Sequence, residues 1–141
     1  MTLTVFQKLA LGVSGVTALG IGCFILAAPE AFYAGYGITF VQDPGLLSEL
    51  RAPAAGLAAL GMLMLLGIVR PAVAQISIAV ALTVYLAFPA GRLMGVVIDG
   101  PPPTGILGAL ILEVLIAVLC LAAFCRRLRP RGSRGTQPRT A

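Results

Sequence analysis

Six side chains in this sequence have the chemistry to build a polar site inside a membrane: Glu49, Arg51, Tyr85, Arg92, Asp99 and Glu113. The five ionisable ones fall at or near the same end of otherwise apolar segments. An unpaired charge moved to the middle of a bilayer costs from roughly 3 kcal/mol on insertion scales to 10 or more in calculations. Each therefore needs a partner, water or a ligand, and their grouping marks the candidate site. In such a site an arginine offers N–H donors and positive charge to an anionic or polar headgroup, while a carboxylate orients the arginine or carries a proton. The sequence has no histidine and no tryptophan. Imidazole is thus removed as a metal ligand or general base, and no cofactor is evident from the residues themselves.

The elements that must position these groups follow from composition. Hydrophobic residues make up 59% of the chain and charged ones only 11%, against roughly 25% charge in a soluble domain. We read an all-α integral membrane protein, one four-transmembrane-helix bundle over residues 1–125 with no separate soluble domain. The spans are expected at about 5–28, 46–69, 72–97 and 104–124, each near the 20 apolar residues a bilayer requires. The first could pass for a signal peptide, but its apolar run exceeds an h-region and further spans follow, so a retained helix is expected. Pro29-Glu30 stops it. Residues 31–46, with Tyr33, Tyr36, Phe40 and several glycines, suit an irregular stretch at the interface. The second span begins either at Asp43-Pro44, as cap and first helical residue, or later near Pro53, which removes a hydrogen bond from the Glu49 carbonyl. Pro89 does the same near the far end of the third span. Asp99-Gly100-Pro101-Pro102-Pro103 makes a stiff connection to the fourth.

Basic residues set the expected orientation. Arginines 126, 127, 129, 131, 134 and 139, together with Arg70 and Lys8, all fall on one side of a four-span bundle. The positive-inside rule then places both termini in the cytoplasm of a multi-pass protein of a bacterial inner membrane. Residues 126–141 form an Arg-rich tail expected to be disordered; a stop-transfer signal accounts for it, with attachment to anionic lipid as the functional alternative. No nucleic-acid partner is expected.

Depth and helical phase group the charges. Glu113 lies about nine residues inward along the fourth span, roughly 14 Å deep, and so is the most buried ionisable group and the one most in need of a partner. Arg51 or Arg92 is the expected partner. Tyr85, Arg92 and Asp99 recur every seven residues and form a stripe on the third span, while Arg51 shares a face with Ala54, Ala55 and Ala58, whose small side chains allow a neighbouring helix to approach. A purely architectural role is the alternative: a buried ion pair that only fixes helix register, with Arg92 and Asp99 reaching for headgroups. Cys120 and Cys125 are expected to serve as small apolar residues, and Cys23 is too far from them to form a disulfide.

The successions LAAPEAFYAGYGI, SELRAPAAGLAALGML, FPAGRLMGVVIDGPP and LILEVLIAVL resemble an uncharacterised bacterial family of small four-helix membrane proteins, broadly similar to the DoxX-like group. The marks are Pro29-Glu30, Glu49 with Arg51, Gly91-Arg92, Asp99-Gly100 and Glu113. The resemblance implies the fold and an accessory role in quinone-linked or sulfur redox complexes, which makes a quinone the cofactor to consider. The expected function is a binding or accessory subunit, for which catalysis is not required. Its charged pocket, in the outer leaflet, would take a lipid- or quinone-like ligand, and membrane lipid, a membrane-protein partner or a second copy of the chain would be its partners. The alternatives are a purely structural subunit of a membrane complex and a proton-linked small transporter in which Glu113 carries the proton.

Overall fold

The computed structural model describes residues 3–41 and 43–128, with side chains as far as residue 125. Five helices succeed one another: α1 (Val5–Ala27), α2 (Pro29–Ala34), α3 (Pro44–Val69), α4 (Ala74–Asp99) and α5 (Thr104–Leu128). No strand occurs among the described residues. All but the short α2 are long and apolar enough to cross a membrane, so the chain is an all-α, four-span bundle, and its large exposed apolar side chains, such as Val16, Met62, Leu86 and Val118, suit lipid and not water.

Local chemistry explains the boundaries. Thr4 and Gln7 form a capping box at the start of α1, satisfying two backbone donors reciprocally. The second span starts at its earlier candidate position: the Asp43 carboxylate accepts from the Leu46 N–H at 2.8 Å, and Pro44 sits where a helix needs no N–H. Pro53 lies inside that helix. The α4 helix ends on Gly100, which has a φ of +93°, a conformation glycine adopts without a Cβ penalty. The α5 helix continues past its expected end to Leu128, so the expected tail begins within it, and residues 129–141 lie outside the described ones.

Lipid tails are as apolar as leucine, so helix association in a membrane rests on close packing and not on expulsion of water. The seam between α1 and α3 shows how. A Cβ added at Gly61 would lie 2.5 Å from the Leu19 nitrogen, and one at Gly22 would lie 2.6 Å from the Ala58 nitrogen. The two backbones touch directly, and Gly15 faces Gly61 from the other side. The helices then follow one another round the bundle in the order α1, α3, α4, α5.

The core fills the half of the bundle nearer the terminal ends of α1 and α5. Leu11, Met64, Ala81, Cys120 and Phe124 are buried there. Polar ties cross it: the Gln7 amide donates to the Ala123 carbonyl at 3.1 Å, and the Ser77 hydroxyl donates to the Leu63 carbonyl at 2.6 Å. In the other half the walls part.

The glycine seam makes a discriminating prediction. Gly61→Ala must push two backbones apart and should cost about 1–3 kcal/mol, read by denaturing-detergent titration in mixed micelles. Gly56→Ala, where an added Cβ meets nothing within 4 Å, should leave stability unchanged or raise it.

Candidate functional site

In the half of the bundle away from the terminal ends of α1 and α5, a cavity of about 240 Å³ lies between α1, α4 and α5, with α2 and the segment after it over its top. Thr17, Ala18, Ile21 and Ile25 of α1 form one wall, and Ile106, Ala109, Leu112, Glu113 and Ile116 of α5 another. On α4 the lining residues Val84, Tyr85, Phe88 and Arg92 recur at helical spacing along one face. Phe32, Tyr33, Tyr36 and Ile38 close the far side.

This cover is built from aromatic rings. Phe32 packs edge-on against Phe24 of α1, against Tyr33 and against Tyr36, with centroids 5.5, 5.3 and 5.2 Å apart, and Tyr33 meets Phe40. Such arrangements suit the ring quadrupole. Pro29 starts α2 and is buried. Gly37, with a φ of +75°, turns the chain so that the Ile38 N–H donates back to the Tyr33 carbonyl at 3.1 Å. Tyr36 packs against Gly105, which fixes the cover to the start of α5.

At one side of the cavity stands the one ion pair among the described residues. The Arg92 Nε–H donates to both oxygens of Glu113, at 2.9 and 3.1 Å. The Glu113 side chain is 11% exposed and that of Arg92 33%. Of the two arginines expected to hold Glu113, the structure selects Arg92. Both contacts run through Nε, and the terminal nitrogens of the guanidinium have no hydrogen-bond partner among the described residues. That geometry differs from the fork-to-fork pairing that would use up an arginine.

The remaining candidate residues divide. Tyr85 lines the cavity below Arg92 on the same stripe, and its hydroxyl donates to the Ser14 carbonyl at 2.8 Å. Pro89, having no N–H, leaves the Tyr85 carbonyl without a helical donor. Asp99, exposed, shares a shallow depression with Arg92, Gly95 and Gly100 just beyond the pair. Arg51 and Glu49 do not line the cavity. Arg51 is exposed and donates from Nε to the Leu26 carbonyl at 3.2 Å, which places a cation on one of the last carbonyls of α1, where the helix dipole favours it. Glu49 is exposed and makes no side-chain hydrogen bond or ion pair among the described residues.

Sequence reasoning gave no role to Ser14, Thr17 or Phe32. The Ser14 hydroxyl donates to the Ala10 carbonyl at 2.6 Å and lies 3.1 Å from the Cys120 sulfur, so α1, α4 and α5 meet at one serine. The signal was there: Leu11, Ser14, Gly15, Ala18, Gly22 and Ile25 are all buried and mark one stripe of α1. Cys120 is fully buried, as a small apolar residue would be, and the cysteines are free. No group of potential metal ligands occurs among the described residues.

The ion pair predicts an asymmetry. Arg92→Met strands the nearly buried carboxylate and should cost about 3 kcal/mol, whereas Glu113→Leu strands a guanidinium that can still reach polar surroundings and should cost about 1 kcal/mol. The double substitution Arg92→Met with Glu113→Leu should recover most of the loss, measured by unfolding titration of all three variants.

Comparison with known proteins adds one finding. No curated protein and no solved structure matches the chain. A family model described as a domain of unknown function, DUF4345, matches residues 6–124, which takes in all but the outermost ends of the four spans and every candidate residue of the cavity, and the chain therefore belongs to the DUF4345 family.

Proposed function

We propose that this protein is a small membrane-embedded binding or accessory subunit whose cavity holds an amphipathic, lipid- or quinone-like molecule. The observation that carries the reading is the free donor edge of Arg92 beside an apolar, aromatic-lined hollow. Ligand sites are mostly apolar with a few well-placed polar groups. Here Glu113 fixes the guanidinium, the terminal nitrogens hold the headgroup, and the walls of α1, α4 and α5 receive the tail. Arg51 contributes to the α1–α3 joint and not to the headgroup.

The same reading places the protein in a bacterial inner membrane with both termini in the cytoplasm and the cavity in the outer leaflet. Support comes from Lys8 near the start of α1, Arg70 at the end of α3 and positions 126 and 127 in the last turns of α5, all basic and at one side of the bundle. A DoxX-like relation, read from the marks Pro29-Glu30, Glu49 with Arg51, Gly91-Arg92, Asp99-Gly100 and Glu113, would make the partner an enzyme of redox type.

Mass spectrometry of the gently extracted protein tests this. A small amphipathic molecule should remain bound to the unaltered chain and be lost from the Arg92→Met, Glu113→Leu double variant, which keeps its fold. The same bound molecules in both, or none in either, would leave the ion pair as a purely architectural device.

A further inference from the structure

We propose that the cavity selects an electrically neutral headgroup with a hydrogen-bond acceptor, such as an ester or ketone carbonyl, and rejects anions; this rests on the cavity being a binding site and names the class of molecule it takes. Local charge sets this preference first. Among the described residues Arg92 is the one cation lining the cavity, and Glu113 neutralises it at 2.9 Å. An anionic headgroup would leave one uncompensated negative charge in surroundings that solvate it poorly, a cost the bilayer makes large. A neutral carbonyl takes the unpartnered N–H groups of Arg92 and adds no charge.

The surroundings act in the same direction. All five carboxylates of the chain, Glu30, Asp43, Glu49, Asp99 and Glu113, lie in the half of the bundle that holds the cavity, where the cations among the described residues are Arg51 and Arg92. The approach therefore carries three negative charges in excess, and a field of that sign lowers the local concentration of anions. Asp99 lies in the depression that shares Arg92 and Ile106 with the cavity. A cationic headgroup fares no better inside, since the guanidinium repels it and both oxygens of Glu113 are already turned to Nε. Besides the pair, the titratable groups facing the cavity are the phenols Tyr33, Tyr36 and Tyr85.

The chain provides its own reporter. Its three tyrosines all line the cavity, and there is no tryptophan to mask them. The full-length protein in neutral detergent is titrated with ω-bromodecanoic acid, ionised at alkaline pH, and separately with its methyl ester; bromine in contact with the rings quenches their emission. Concentrations are expressed as mole fraction in the micelle, so that partitioning into detergent does not enter the comparison. The ester should half-saturate at a mole fraction about tenfold lower than the acid, the factor that corresponds to 1.4 kcal/mol.

Glu113→Gln keeps an acceptor for Arg92 but leaves the site positive, and should reverse the preference in favour of the acid. Asp99→Asn, which leaves the ion pair intact, should shift it the same way by a smaller factor and decides the matter if the first variant does not fold. An acid that binds the unaltered protein as tightly as the ester would overturn the selection while leaving the binding site standing, and so would a preference that neither variant moves. Quenching by neither probe would remove the binding site itself and the selection with it.

Discussion

A polar group inside a bilayer finds no water to satisfy it, and the arrangement of this protein follows from that single constraint. Among the described residues no buried side-chain nitrogen or oxygen lacks a partner. The solutions are economical: Gln7, Ser14, Ser77 and Tyr85 each donate to a backbone carbonyl, and three of the four bonds join different helices. Glu113, the most demanding group, takes the Nε–H of Arg92. What remains over is donor capacity on the partly exposed guanidinium. In a membrane such spare capacity is either directed to the interface or used by a ligand, and here it borders a cavity.

The two halves of the bundle are built differently because their residues pack differently. Glycine and alanine let the α1 and α3 backbones meet in both halves, at Gly15 and Gly61 and again at Gly22 with Ala58, while toward the terminal ends α5 is tied to α1 through Gln7 and through Ser14 beside Cys120. Toward the other end, rigid rings come between α1 and α5. Phe32, Tyr33 and Tyr36 line the cavity between α1 and α5, with Phe32 on Phe24 of α1 and Tyr36 on Gly105 of α5. The cover is only a six-residue helix and a turn, anchored by buried Pro29, by ring contacts and by Tyr36 on Gly105. Such a segment has few buried contacts compared with the spans, and it is the part of the molecule best suited to yield when a molecule enters.

Much of this was legible in the sequence. Span number and approximate limits follow from hydropathy, and the Asp43-Pro44 start follows from cap chemistry that outweighed the competing start at Pro53. The need of Glu113 for an arginine followed from its depth alone. Which arginine could not be read, because Arg51 and Arg92 stand at similar heights and the choice depends on how the helices are arranged around the bundle. Arg51 faces the end of α1, the neighbour brought close by the glycine seam, so a carbonyl of that helix claims it first. The aromatic segment after Pro29 was readable as interfacial but not as a cover. Its composition carries no sign of what it covers; its ring contacts and the turn at Gly37 fold it over the cavity.

The account depends on Arg92 and Glu113 converging beside a cavity within a lipid bilayer. The most direct measurement is solid-state NMR of the protein in bilayers, with labelled arginine nitrogens and glutamate carboxyl carbons, reading dipolar coupling between Arg92 Nε and the Glu113 carboxylate. The predicted result is a strong coupling at hydrogen-bonding distance through Nε, with the terminal nitrogens close to carbons of a molecule that is not protein. A vanishing Nε coupling, with both side chains in contact only with water or bulk phospholipid, would contradict it.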